Sequence, residues 1–401
     1  MLASFFAFAA AIALSLSSSA SVSALPSGFA TTDGTRFSVD GKTLDFVGAN
    51  SYWLPLLTTE TDVHTSFQQM RDQGVKVVRT WGFNAINGSE LAGALESNLT
   101  YYQLWNSSEL DYVVETASQY GIKMIVTFTN NWHGSDLYLA WIAGNPTTHD
   151  VFFTDPKIVA SYQRYVRTIV ERYKDSPNVF AWELMNEARC GSDTYPSGPA
   201  CVPGSETVLK WYKEQSDFVR SLDPFHMITT GGEGQFFWPG DTALASDFNF
   251  NGQAGEDFDR ELFLDNIDFA TYLIPGSGFD TEGWGIDWIT NHSIGKSYHC
   301  LLAKKLFNFS AAATRANKPI ILESLIYPSW VQHALDLKHA IMPWQFGALG
   351  LTEDGGNRLI KYADEILNGA SPNDGLAIYK NNTAIWDIFA NAALVQDSRS
   401  R

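Results

Sequence analysis

Short apolar runs alternate with longer stretches of helical periodicity along most of this chain. The runs Phe46–Asn50, Val75–Trp81, Lys123–Thr129, Val179–Asn186, Met227–Thr230, Ile267–Tyr272, Pro319–Glu323 and Ile341–Phe346 read as buried strands. Between them, Val63–Gln73, Leu110–Tyr120, Ile158–Tyr173, Val208–Ser221 and Leu301–Ala316 read as amphipathic helices. The first and third of these stop before Gly74 and before Asp175-Ser176-Pro177, as helix C-termini do. Strands that alternate with helices imply parallel βαβ units, and eight such strands imply a closed (β/α)8 TIM barrel rather than an open sheet. Ahead of the barrel, Arg36–Phe46 alternates around Asp40-Gly41, which predicts a β-hairpin with a type I′ turn.

The segments after the strands are long and rich in Gly, Asn, Asp and Trp: 84–102, 130–153, 188–204, 231–256 and 273–287. In a barrel these all rise from the C-terminal face, where ligands bind. One strand ends there on Asn186-Glu187. A polar pair at the tip of an apolar strand makes Glu187 a candidate general acid/base and Asn186 a neighbouring donor. An acid favoured by a helix dipole is the plainer reading of the same pair. Arg79, also near a strand end, suits a carboxylate partner or an ordinary structural ion pair equally well. Trp344 on the last strand is either a floor for a sugar ring or barrel packing. Trp53, Trp81, Trp132, Trp238, Trp284 and Trp330 also fall at strand ends or in the following loops, and so many on one face favour a carbohydrate cleft.

Composition narrows the choice. Residues 1–24 read as a secretory signal peptide, with an apolar stretch followed by Val22-Ser23-Ala24 at the cleavage site. Residues 25–401 then form one domain, expected to be extracellular and monomeric. A formal charge of −17 argues against nucleic acid and anionic membranes as partners and is compatible with a neutral polysaccharide. Asn-X-Ser/Thr sequons at Asn87, Asn98, Asn106, Asn291, Asn308 and Asn381 fit a glycoprotein. Cys190 and Cys201 flank a Gly/Ser/Pro-rich loop that a disulfide could close, leaving Cys300 as a buried thiol. No Cys/His cluster has metal-ligand spacing, and neither metal nor other cofactor is expected.

From about Gly34 to about Phe389 the chain resembles the fungal endo-β-1,4-mannanases of glycoside hydrolase family 5. The similarity rests on six collinear stretches: Phe46–Pro55, Val78–Asn84, Asn130-Asn131-Trp132, Phe180–Cys190, Lys318–Glu323 and Trp344–Gly347. The resemblance implies a (β/α)8 barrel that cleaves internal β-1,4 linkages of mannan or glucomannan with retention, using two glutamates about 5–5.5 Å apart. Carried over by position, it makes Glu187 the acid/base, Asn186 its neighbour, Arg79 the arginine beneath the nucleophile and Trp344 the sugar-stacking tryptophan. Trp53 joins them as a substrate-binding candidate and Glu323 as the candidate nucleophile.

The chain departs from that pattern in three places. Ala188 follows Asn186-Glu187 where the family carries Pro, and Phe269–Pro275 lacks the family's His. Counting from Lys318-Pro319 without a gap puts Ser324 at the nucleophile position and Glu323 one residue early. Strand alternation then predicts that Glu323 points away from the cleft unless a bulge re-aims it. Two other functions therefore remain open: a hydrolase-derived carbohydrate-binding protein without turnover, and a β-glycanase of altered substrate whose second carboxylate is Glu233, Asp280, Glu282 or Asp354.

Overall fold

A computed structural model describes residues 24–57, 59–85, 102–103, 107–132, 134–144, 147–274, 281–293, 316–323, 327–354 and 368–400. Residues 1–23 of the expected leader, residues 301–315 of the expected helix Leu301–Ala316, Cys300, Asp280, Ser324 and the sequons at Asn87, Asn98, Asn106 and Asn308 lie outside them.

Eight parallel strands succeed one another in chain order: Gly48–Asn50, Val77–Trp81, Lys123–Thr127, Val179–Glu183, Met227–Thr229, Ala270–Tyr272, Ile320–Leu322 and Ala340–Ile341. The first five pair in one run and the last three in another. Two seams close the ring. Val47 bridges Ile341 in parallel, and the Asp268 N–H donates to the Ile228 carbonyl at 2.8 Å. The barrel expected from the pattern is present, with strands shorter than the runs suggested. The run Ile341–Phe346 in particular is broken. Pro343 has no N–H to give a ladder, and Phe346–Gly347 pairs instead with Ile378–Tyr379.

The predicted hairpin forms, with Val39 opposite Lys42 and both Asp40 and Gly41 at positive φ, 50° and 74°. A further strand, Ala30–Asp33, pairs with Arg36–Val39 and was not expected. This small sheet presents Phe37 to the N-terminal end of the barrel. Its ring centroid lies 5.5 Å from Phe46, 5.1 Å from Phe180 and 5.3 Å from Phe269, so four aromatic rings close that end. Truncating a buried phenylalanine of this kind costs about 3–5 kcal/mol.

Packed with those rings, at the level of Phe269, is an apolar layer that includes Val77, Ile125, Ala181, Met227 and Ile321. Side chains two residues apart on a strand share a face. The next layer up is therefore Arg79, Thr127, Glu183, Thr229, Thr271 and Glu323, with Asn50 following Gly48, and every one of these polar residues is buried.

That alternation corrects the expectation for Glu323. Ile321 belongs to the interior cluster, whereas Leu322 packs outward with Trp288 and Trp330. Glu323 consequently shares the interior face. The pairing Thr271 to Ile321 and Tyr272 to Leu322 is regular, and the Glu323 N–H continues it to the Tyr272 carbonyl at 3.0 Å, so no bulge is involved. The gap-free count borrowed its register from the resemblance, while the face is set by strand pairing.

The helices that cover the ring include Glu60–Gln73, Ser107–Gln119, Pro156–Tyr173, Thr207–Leu222, Glu282–Ser293, Pro328–Asp336 and Thr383–Arg399. Pro156–Tyr173 shows why these segments are helical. Asp155 caps it by accepting from the Lys157 N–H at 2.7 Å, Pro156 occupies the first turn, and Ile158, Tyr162, Val166, Ile169 and Tyr173 form its buried stripe. Cys190 and Cys201 are joined as a disulfide. Among the described residues, no helix is long and apolar enough to cross a membrane.

Candidate active site

Arg79 organises the upper layer. It is almost fully buried, with its Nε 2.9 Å and its Nη2 2.5 Å from the Glu183 carboxylate. Nη1 donates to Asn50 Oδ1 at 3.1 Å and Nη2 also to Asn186 Oδ1 at 2.7 Å. Burial alone would lower the guanidinium's pKa, but the charges of Glu183 and then Glu323 outweigh it and raise it. Glu183 also accepts from Thr127 Oγ1 at 2.9 Å. The two charges are thus compensated by hydrogen bonds on several sides, as a buried pair requires.

Glu187 stands where the fourth strand gives way to its loop, in the left-handed region at φ 54°. Asn186 bridges Asn130, just beyond the end of the neighbouring strand, its Nδ2 donates to Asn130 Oδ1 at 2.9 Å, and the Glu187 N–H donates to the Gly231 carbonyl at 2.8 Å. These bonds hold a backbone conformation that non-glycine residues seldom adopt. Position 231 tolerates only glycine: its φ is 78°, and a Cβ there would lie 2.4 Å from the Met185 carbonyl oxygen and 2.6 Å from Glu183 Cγ.

The Glu187 carboxylate accepts from the Trp132 indole N–H. Trp132 is held in turn by the Arg189 guanidinium, 4.8 Å above its ring centroid, and Arg189 is paired with Glu233. Burial, then the negative charge of Glu233, push the Glu187 carboxyl up to about 7; the Trp132 N–H and the cations of Arg189 and Arg79 oppose that rise. A carboxyl with this poise can hold a proton near neutrality and release it.

Glu323 faces the same centre from the seventh strand. It is 1% exposed, and among the described residues neither carboxyl oxygen has a hydrogen-bond partner. Oε2 lies 3.5 Å from Arg79 Nε. Burial raises its pKa to about 8 against the pull of Arg79, with Glu183 and Glu187 adding like charge. A buried polar group without a partner costs free energy, and such sites are retained where reactivity needs them.

The aromatic residues divide into two groups. Trp344 is partly exposed, stacks on Tyr52 at 5.7 Å with an interplanar angle of 15°, and donates its indole N–H to Asp374 at 2.5 Å. Trp81 lies 6.2 Å from it. Trp53, by contrast, has no exposed surface and sits in the main core cluster. A ring enclosed on all sides has no face to offer a sugar, which corrects the substrate-binding expectation for Trp53. Tyr272 is also enclosed, bonding His339 Nδ1 through its hydroxyl at 2.9 Å. Of the loop acids, Glu233 is committed to Arg189, and Glu282 lies exposed in the first turn of its helix.

Sequence reasoning passed over Asn50, Thr127, Glu183 and Arg189. The first three carry a readable signal, a polar residue two positions beyond an apolar one in a strand otherwise buried. Arg189 carries no such signal.

A family model described as GH family 5 beta-mannosidase-like matches residues 27–327. Mannan endo-1,4-beta-mannosidase F of Aspergillus clavatus is 34% identical over 383 residues, covering 90% of this chain and 77% of that protein. Mannan endo-1,4-beta-mannosidase A of Podospora anserina is 32% identical over 366 residues, with 87% and 86% covered. Among solved structures, the endo-1,4-beta-mannanase of Rhizomucor miehei superposes with a TM-score of 0.72 at 28% identity, over 92% of this chain and 99% of that one. Both the barrel and the full-length similarity lead to one assignment: the chain belongs to glycoside hydrolase family 5, in its β-mannosidase-like group.

Proposed function

We propose that the protein is a secreted, retaining endo-β-1,4-mannanase in which Glu187 is the acid/base and Glu323 the nucleophile. The observation that carries this reading is the Glu323 carboxyl, buried and without a hydrogen-bond partner among the described residues, beside Arg79 and in the charge field of Glu187. Like charges at such proximity disfavour double ionisation. Arg79 next to Glu323 favours the anion there, and Glu233 next to Glu187 favours the proton there.

In the first step an oxygen of Glu323 attacks the anomeric carbon while its bond to the leaving oxygen breaks. Glu187 gives its proton to that oxygen. In the second step Glu187, now a carboxylate, takes a proton from water, and the water oxygen displaces Glu323 from the sugar. Two inversions leave the anomeric configuration unchanged. Asn186, fixed between Arg79 and Asn130, stands beside the acid as a donor to the sugar, and Trp344 provides the ring face on which that sugar rests.

The relatives named as mannan endo-1,4-beta-mannosidases support mannan as the substrate. The test is release of reducing ends from mannan and glucomannan, with NMR of the first product to read its anomer. Loss in both Glu187→Gln and Glu323→Gln with β-configured product is expected. Full activity in either variant would remove that residue from the mechanism, and mannan binding without product would leave a binding protein instead.

A further inference from the structure

Two sequons fall among the described residues, and the fold treats them oppositely. Asn291 lies within the helix Glu282–Ser293, half-buried and followed by buried His292 and Ser293. The Ser293 hydroxyl is occupied by the Ile289 carbonyl at 3.1 Å and by His339. Asn381, in contrast, occupies the turn between Ile378–Tyr379 and the helix Thr383–Arg399, and Asn381, Asn382 and Thr383 are all exposed. Transfer of an oligosaccharide needs an accessible asparagine with a free hydroxyl two residues on, which the second sequon offers and the first does not.

The surroundings of Asn381 are unusual for a turn. The next residue, Asn382, lines a pocket of about 230 Å³ together with Ile385, Leu376, Val331 and Trp344. Leu376 is 51% and Ile385 39% exposed. Apolar surface of this kind, open to water beside a polar turn, is a place where another group packs.

We infer that Asn381 carries an N-linked glycan whose first sugars cover the apolar pocket beside Trp344. The inference rests on the secretory route proposed above. In the modification, the Asn381 amide nitrogen bonds to the anomeric carbon of a lipid-pyrophosphate-linked oligosaccharide. The bond from that carbon to pyrophosphate breaks, lipid pyrophosphate leaves, and the amide gives up one proton. The N-acetyl methyl and the C–H faces of the first sugars then lie against Leu376 and Ile385. The glycan marks one rim of the candidate cleft, since Trp344 belongs to both.

The experiment expresses the full chain with its own leader in a eukaryotic secretory host and collects protein from medium and cells separately. Enzymatic deglycosylation turns an occupied asparagine into aspartate, which peptide mass analysis reads. Conversion is expected at Asn381 and not at Asn291. Protein found in the medium with Asn381 unmodified overturns the inference alone, whereas protein retained in the cells overturns the secretory reading and this inference with it. Hydrogen exchange over residues 376–388 should be severalfold slower in the glycosylated form than after glycan removal or in Asn381→Gln. Equal exchange in all three would overturn the covering of the pocket.

Discussion

Replacing Glu323 by Gln should raise stability by an amount that grows with pH. In the folded chain the carboxyl is enclosed and, among the described residues, has no hydrogen-bond partner, and its pKa stands near 8 against an ordinary value of 4.5. A carboxyl whose pKa is raised by folding makes no demand below its unfolded value, and its penalty grows as pH climbs from there toward the folded value. At pH 7 the unfolded chain has Glu187 and Glu323 both ionised, whereas the folded pair retains a proton between them, so folding must take up a proton. Two to three pH units of that uptake amount to about 3 kcal/mol at 1.36 kcal/mol per unit. Gln fills the same space without the proton. Arg79 remains compensated in the variant because Glu183 already holds it at 2.5–3.1 Å. For a chain of this length, the usual unfolding entropy per residue converts 3 kcal/mol into a Tm gain of roughly 4 °C. Calorimetry of both proteins between pH 4 and pH 8 measures it. A difference near zero at pH 4 that widens toward neutrality is expected. A pH-independent difference, or a variant that melts lower at pH 7, would refute the picture of a desolvated carboxyl that folding forces to keep a proton.

Glu183→Gln should act in the opposite sense, destabilising by about 3–5 kcal/mol because Arg79 loses its principal counter-charge in a site 0–2% exposed; an unchanged melting temperature would show that the cation is neutralised elsewhere. The rate, as kcat/KM, should fall as pH rises past about 7, where Glu187 loses the proton it must donate, and Glu233→Gln should move that fall to lower pH by removing the charge that holds the proton on. A pH profile unaffected by Glu233→Gln would remove that coupling. Trp53→Ala should cost about 3–5 kcal/mol of stability with little change in KM, whereas Trp344→Ala should lower kcat/KM about tenfold or more with a smaller loss of stability. Thermal melts and steady-state kinetics on the two variants distinguish a core ring from a cleft ring.

Every strand of the barrel was legible as an apolar run, because strands covered on both sides repeat the same demand for burial. The hairpin was equally legible, since Asp40-Gly41 can satisfy two positive φ values in succession. Strand ends were read too long. Leu184–Asn186 keeps ladder bonds without counting as strand, and Pro343 interrupts the last run. The candidate site was legible only in part. Glu187 announced itself as a polar residue after an apolar strand, whereas Glu183 closes one, where its alternation is readable but its need for the buried guanidinium of Arg79 on another strand is not. The direction of Glu323 depended on pairing with Tyr272, a long-range relation that residue spacing along one strand does not encode. Trp53 was misread because a tryptophan near a strand end suits a core and a cleft alike until its neighbours are known.

The four phenylalanine rings packed at the hairpin end have a consequence for how a long glycan could be handled. With that end closed by rings and the space above them filled by two further layers of side chains, the ring of strands is a packed core and not a tunnel, so no polymer can be threaded through it. Under the proposed function, a glycan is laid over the rim of the ring and not through it. A scissile bond chosen that way requires no free chain end to be fed in first.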